Sequence, residues 1–234
     1  MLEVTDLCAG YGEMIAVRDF SFSVQQGKIL AILGANGAGK SSTLMALMGL
    51  IEQKSGSIRV NGNDISLLSS EKRIEHGISI VPEGRRIFAD LSVLENLIVG
   101  GHTVSKSQLD QGVEKVFGYF GRLRERSSQL AGSLSGGEQQ MLAMGRALIS
   151  EPKLLLVDEL SLGLMPKIVD ECYGVLKQLN ENGTAIILVE QNTERALAVA
   201  DNVCILEAGN LGFTGSVADA QQDSKILQSF LGAS

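Results

Sequence analysis

Gly34-Ala35-Asn36-Gly37-Ala38-Gly39-Lys40-Ser41-Ser42 stands between the apolar run from Ile29 to Leu33 and a stretch, Lys40 to Leu50, whose apolar residues recur at helical spacing. The pattern G-x-x-x-x-G-K-[ST] between a strand and a helix is a phosphate-binding loop. Its glycines let the backbone curl until successive N–H groups point inward at an anion, and the helix start adds partial positive charge. Lys40 brings a full charge for the terminal phosphates, and the Ser41 hydroxyl is of the kind that coordinates Mg²⁺. The stretch predicts that Gly34, Ala35, Asn36, Gly37, Ala38, Gly39, Lys40, Ser41 and Ser42 bind a nucleoside triphosphate.

Such a loop needs acids nearby. Leu154-Leu-Leu-Val157 is an apolar strand that ends in Asp158-Glu159. Side chains alternate along a strand, so the two acids leave its end in different directions and divide the work. Asp158 is assigned to the metal and Glu159 to orienting and deprotonating the attacking water.

Working outward, further strand patterns run from Leu2 to Leu7, Phe20 to Val24, Ser57 to Val60, Ile78 to Val81, Ala185 to Val189 and Val203 to Leu206. The later ones are apolar enough for burial on both faces of a parallel sheet. Helical patterns from Gly137 to Ile149, Ile168 to Asn182 and Thr193 to Ala200 alternate with them, which argues for an α/β fold. Hairpin signals at Gln25-Gln26-Gly27 and Asn61-Gly62 set an antiparallel sheet beside the parallel core. Between about Ser92 and Leu134 the pattern turns helical and charged, with Glu114, Lys115, Arg122, Arg124, Glu125 and Arg126. One domain over residues 1–234 is expected, its core drawn from about 1–91 and 150–234 and a helical lobe from about 92–149.

With 27 acidic against 20 basic residues the net charge is −7, which disfavours a nonspecific grip on nucleic acid. Cys8, Cys172 and Cys204 lie far apart without metal-ligand spacing, so no zinc site is indicated and a reducing cytoplasm fits. The start, Met1-Leu-Glu-Val-Thr-Asp6, lacks the basic and apolar regions of a signal peptide. No apolar run reaches the roughly 18 to 20 residues that span a bilayer. Any membrane role is therefore expected to run through another chain.

Leu134-Ser135-Gly136-Gly137-Glu138-Gln139-Gln140 narrows the reading. Ser135 and Glu138 form an S-x-x-E capping box, and the glycines leave the first helical amides uncovered, which makes a second anion site. With the phosphate loop and the acid pair, this segment makes the chain resemble the ATP-binding cassette (ABC) ATPases. The resemblance implies a P-loop NTPase cassette with a mostly parallel core sheet, a flanking antiparallel β subdomain and a small helical subdomain. It implies ATP and Mg²⁺ as ligands, and a head-to-tail pair in which Ser135, Gly136, Gly137 and Glu138 cover the ATP held by the other subunit. It also makes Tyr11, in Ala9-Gly10-Tyr11-Gly12, the aromatic that stacks on adenine, with Val17 beside the ring.

Departures from the commoner pattern narrow the subfamily. Most cassettes carry a glutamine after the strand Ile78 to Val81, where this chain has Pro82-Glu83, so the resemblance places Glu83 with Ser41 and Asp158 at the metal. Most carry a histidine on the γ-phosphate after Val189, where this chain reads Glu190-Gln191-Asn192 and Gln191 takes the position. Both features, with Val81-Pro82-Glu83-Gly84-Arg85-Arg86-Ile87-Phe88, resemble the second ATPase of branched-chain amino acid importers. That resemblance implies transmembrane permease subunits and, indirectly, a periplasmic solute-binding protein; Arg85 and Arg86 read either as solvated surface charge or, with Phe88, as the groove in which a cytoplasmic helix of the permease docks. The partner cassette is a second copy or a sister subunit, and the complex sits on the cytoplasmic face of the inner membrane. A urea or amide importer and a soluble non-transport ABC ATPase are the alternatives. Leu160 stands where the family has proline after the acids, and Met165 where many members have aspartate.

Overall fold

The computed structural model of the chain describes residues 1–222; residues 223–234, the end of the core expected over 150–234, lie outside them. An antiparallel pair, β1 (Leu2–Tyr11) and β2 (Met14–Val24), leads to β3 (Ile29–Leu33) and through the phosphate loop into α1 (Lys40–Leu47). Then come β4 (Glu52–Val60), the short β5 (Asn63–Asp64), α2 (Ser70–Glu75) and β6 (Ile78–Val81). A helical stretch carries α3 (Val93–Gly100), α4 (Lys106–Tyr119), α5 (Gly121–Glu125) and α6 (Gly136–Leu148). The chain continues through β7 (Leu154–Asp158), α7 (Pro166–Glu181), β8 (Ala185–Val189), α8 (Thr193–Val199), β9 (Asn202–Glu207), β10 (Asn210–Ser216) and α9 (Val217–Gln222).

Two sheets result. One runs β2-β1-β4-β5 and is antiparallel throughout; the other runs β10-β9-β3-β8-β7-β6 and is parallel except for the edge strand β10. Every residue of β3, β7 and β8 is buried, as expected for strands covered on both faces. Alternation divides their side chains between two cores. Leu155, Val157, Ile186 and Leu188 pack with the helices α3 to α7, while Leu154, Leu156, Ile187 and Val189 pack with α1 and the antiparallel sheet.

The expected α/β architecture is thus present, with local corrections. Asn61-Gly62 does turn a hairpin, from β4 into β5. Gln25-Gln26-Gly27 does not: it carries the chain from the antiparallel sheet into the parallel one, so its glycine serves a crossover. The helix expected to run to Leu50 stops at Leu47, and Gly49 turns the chain away with φ +69°. Sequence patterning missed β10, none of whose residues is fully buried, and α2, which is shorter than two turns.

Parallel pairing matters most for function. Strands β3, β6, β7 and β8 point the same way, so the phosphate loop, Pro82-Glu83, Asp158-Glu159 and Glu190-Gln191 all emerge at one edge of the sheet.

Candidate functional site

The phosphate loop is curled as its glycines allow. Gly39 sits at φ +103°, and a Cβ there would lie 2.5 Å from the carbonyl oxygen of Ala16, so no other residue fits. Lys40 is almost fully buried, and its Nζ donates to the carbonyls of Gly34 at 2.8 Å and Ala35 at 3.1 Å. The Ser41 hydroxyl donates to Oδ1 of Asp158 at 2.9 Å. Asp158 is 1% exposed, and its Oδ2 has no hydrogen-bond donor among the described residues. Burial, with help from the Glu83 and Glu159 carboxylates and against the Ser41 hydrogen bond and Lys40, raises Asp158 from 3.8 to about 6. A buried, orphaned carboxylate oxygen beside a serine hydroxyl is a donor set suited to a hard divalent cation. Among the described residues no three His, Cys, Asp or Glu side chains gather to hold a metal by themselves.

A cleft of about 690 Å³ opens over this loop, bringing together Tyr11, Asn36, Lys40, Glu83, Glu159 and Gln191. Gly37, Gly39, Ser41 and Ser42 also line it, while Gly34, Ala35 and Ala38 complete the loop without lining the cleft. Tyr11 is half exposed on the β1–β2 hairpin, as a stacking surface must be. Val17 is not in the cleft: it faces the core and is fully buried, while Met14, Ile15 and Ala16 supply the wall next to Tyr11. Pairing of Tyr11 with Met14 across the Gly12-Glu13 turn is the signal that would have found that wall.

Glu159 holds a left-handed backbone, φ +48°, unusual for a residue other than glycine and a form of local strain found at functional positions. Gln191 Nε2 donates to both Glu159 oxygens at 2.8 Å, so the amide holds the very carboxylate the sequence assigned to water. Leu160 is fully buried in the core, which gives an apolar side chain in place of proline a definite role. Met165 is 70% exposed, at the end of the loop that leads into α7.

Ser135 caps α6 as expected, its hydroxyl accepting from the Glu138 amide while Glu138 accepts from the Ser135 amide and hydroxyl. Arg126 Nε lies 2.7 Å from the other Glu138 oxygen and neutralises it. Neither glycine start is simply open: Gly136 lies against the Arg85 guanidinium and Gly137 against Ile168. None of Ser135, Gly136, Gly137 and Glu138 lines the cleft that holds Lys40. Arg85 donates to Gln139, and Arg146 both donates to the carbonyl of Arg86 and lies 4.5 Å above the ring of Phe88. The loop after β6 is thereby braced on α6, with Phe88 half exposed.

A family profile described as ABC transporter matches residues 17–161. The chain is 44% identical, over 99% of its length and 100% of the relative's, to the high-affinity branched-chain amino acid transport ATP-binding protein BraG of Pseudomonas aeruginosa. It is 35% identical, over 99% of both, to the probable branched-chain amino acid transport ATP-binding protein LivF of Archaeoglobus fulgidus. Among solved structures, the ATP-binding subunit of an ABC transporter superimposes with a TM-score of 0.86 at 26% identity, over 99% of this chain and 96% of that one. The phosphate loop, the acid pair at the end of β7 and the capped glycine start of α6 meet in one α/β scaffold, and the chain belongs to the ABC transporter family of ATP-binding proteins.

Proposed function

We propose that this chain is the ATP-hydrolysing subunit of an importer for branched-chain or similar amino acids, paired with a second cassette and bound to a separate permease. The carrying observation is the convergence of Lys40, the Ser41–Asp158 pair and the Gln191-held Glu159 at one cleft. Relatives whose names specify branched-chain amino acid transport, matched over nearly their whole length, support the solute.

In this reading the loop amides and Lys40 bind the triphosphate, and Tyr11 packs on the adenine. Ser41, Asp158 and Glu83 hold Mg²⁺, which when bound neutralises phosphate charge. Glu159 orients a water and accepts its proton, and Gln191 keeps that carboxylate aligned. Gln191 cannot become cationic, so its contribution does not titrate. Ser135, Gly136, Gly137 and Glu138 act on the nucleotide of the partner cassette. The permease docks over Arg85, Arg86 and Phe88, which holds the chain peripherally on the cytoplasmic face of the membrane. Division into a core, residues 1–91 and 150–234, and a helical lobe, residues 92–149, belongs to the same reading.

Lys40→Ala should lose nucleotide binding, whereas Glu159→Gln should keep it and lose turnover by about a hundredfold or more. Near wild-type hydrolysis by Glu159→Gln would remove Glu159 as the base. Reconstitution with copurified permease, assayed with radiolabelled leucine and urea in parallel, tests the solute; uptake of urea alone rejects the amino-acid assignment.

A further inference from the structure

Beside the cleft lies a carboxylate to which neither the phosphate chemistry nor the metal gives a task. Glu190 is 2% exposed at the end of β8, immediately before Gln191. Burying a carboxylate costs several kcal/mol unless donors replace the lost water. Here they do: Oε1 accepts from the Ser161 amide at 3.0 Å and the Tyr173 hydroxyl at 3.1 Å, and Oε2 accepts from the Ser161 hydroxyl at 2.7 Å. Burial and the adjacent carboxylate push the Tyr173 phenol far above its ordinary value, so it remains a donor throughout the working pH range. Arg195, paired with Asp170 at 2.7 Å, adds positive potential on the same side.

The connectivity of these bonds is what gives them a function. Ser161 lies two residues beyond Glu159, and Gln191 directly follows Glu190. The two segments are tied three times, by the Glu159 amide on the Val189 carbonyl at 2.9 Å, by Ser161 on Glu190, and by Gln191 on the Glu159 carboxylate. The Glu159 backbone, strained at φ +48°, sits between those ties. Tyr173 anchors the arrangement to α7, the element that the 160–165 loop enters. Without the Glu190 tie, the hydrogen bonds left between these two segments among the described residues are those of the Glu159 amide and the exposed Gln191 side chain, with Leu160 buried in the core beside them.

We infer that Glu190 is a positioning residue for hydrolysis, a buried clamp on Ser161 and Tyr173 that holds Glu159 and the 160–165 loop in fixed register with Gln191. The inference rests on the ATPase reading above and adds a residue that touches neither nucleotide nor metal.

The test uses the full chain as isolated with its transporter partners. Glu190→Gln keeps the shape but turns an amide N–H₂ toward donors, leaving at least one of them unpaired; kcat for ATP should fall about tenfold while KM and the affinity for a non-hydrolysable analogue stay within about twofold. Ser161→Ala should lower kcat less, and the double variant should be no worse than Glu190→Gln alone, because the serine hydroxyl acts through the Glu190 carboxylate. Unchanged kcat in Glu190→Gln, an equal loss of nucleotide affinity, or additive losses in the double variant would overturn the clamp. Should Glu190→Gln not fold, Tyr173→Phe carries the test: a kcat reduced about threefold at unchanged affinity supports it, and wild-type turnover overturns it. A wild-type chain that neither binds nor hydrolyses ATP would instead sink the underlying ATPase reading.

Discussion

Asp158 carries opposite demands from stability and function. In the unfolded chain its carboxyl ionises near the ordinary 3.8, and in the folded chain near 6, chiefly because burial penalises the charged form. The folded state therefore holds the proton more tightly than the unfolded one. This group's stabilising contribution is complete below the unfolded value, declines as pH rises through the window from 3.8 to about 6, and leaves a fixed cost above it. Two pH units of difference correspond to about 3 kcal/mol. Asp158→Asn should accordingly raise the stability of the free protein at pH 7 by up to about 3 kcal/mol and flatten its decline over that window, while turnover is lost. Urea denaturation of both proteins between pH 4.5 and 7 measures this. An Asn variant with an unchanged slope would assign the pH dependence to other groups.

At the level of elements, α1 illustrates how a nucleotide-binding helix is held at the end away from its loop. Backbone amides of Met48, Leu50 and Gly49 reach the carbonyls of Leu44, Met45 and Ala46, which leaves the Leu47 carbonyl and the second lone pair of Ala46 to be satisfied as Gly49 leads the chain off. Arg73 of α2, 2% exposed, satisfies them: Nη1 donates to the carbonyls of Ala46 at 2.7 Å and Leu47 at 2.9 Å, Nε to Leu68 and Nη2 to Ser66. A lysine cannot spread donors over four carbonyls in that fork, so Arg73→Lys should cost about 2 kcal/mol and Arg73→Met about 3. The denaturant midpoint should fall with the slope unchanged, and a loss below about 0.5 kcal/mol for the Met variant would refute the cap. This contact also shows what was legible in the sequence. The phosphate loop, the acid strand and the Ser135–Glu138 box are local signals, readable because each is complete within a few consecutive residues. Arg73, Leu160 and Glu190 act through neighbours remote in sequence, so no run of consecutive residues announces their roles. Val17 was misplaced for the same reason, since in the fold it packs with Phe20 in the core while Met14, Ile15 and Ala16 before it line the cleft.

For the whole molecule, the decisive fact is that Ser135, Gly136, Gly137 and Glu138 line no part of the cleft that holds Lys40. In the proposed head-to-tail pair, a two-fold axis would set the α6 start of each copy over the cleft of the other and close two equivalent sites. Complementation separates that arrangement from one completed within a single chain. Lys40→Ala destroys the cleft and leaves α6 intact; Ser135→Arg blocks the α6 start and leaves the cleft intact. Each variant alone should be inactive. Mixed in equal amounts, half of the random pairs combine an intact cleft with an intact α6 start at one of their two sites, so turnover should return to about a quarter of the wild-type rate. Dilution should remove the recovered activity along with the pair, as light scattering on the same samples would record. An inactive mixture, with pairs demonstrably formed, would place the α6 start in the service of its own chain's nucleotide and reject the exchange. A wild-type chain that hydrolyses ATP only once a sister cassette is added would keep the exchange but assign the second position to that sister, and the same variants would then be divided between the two chains.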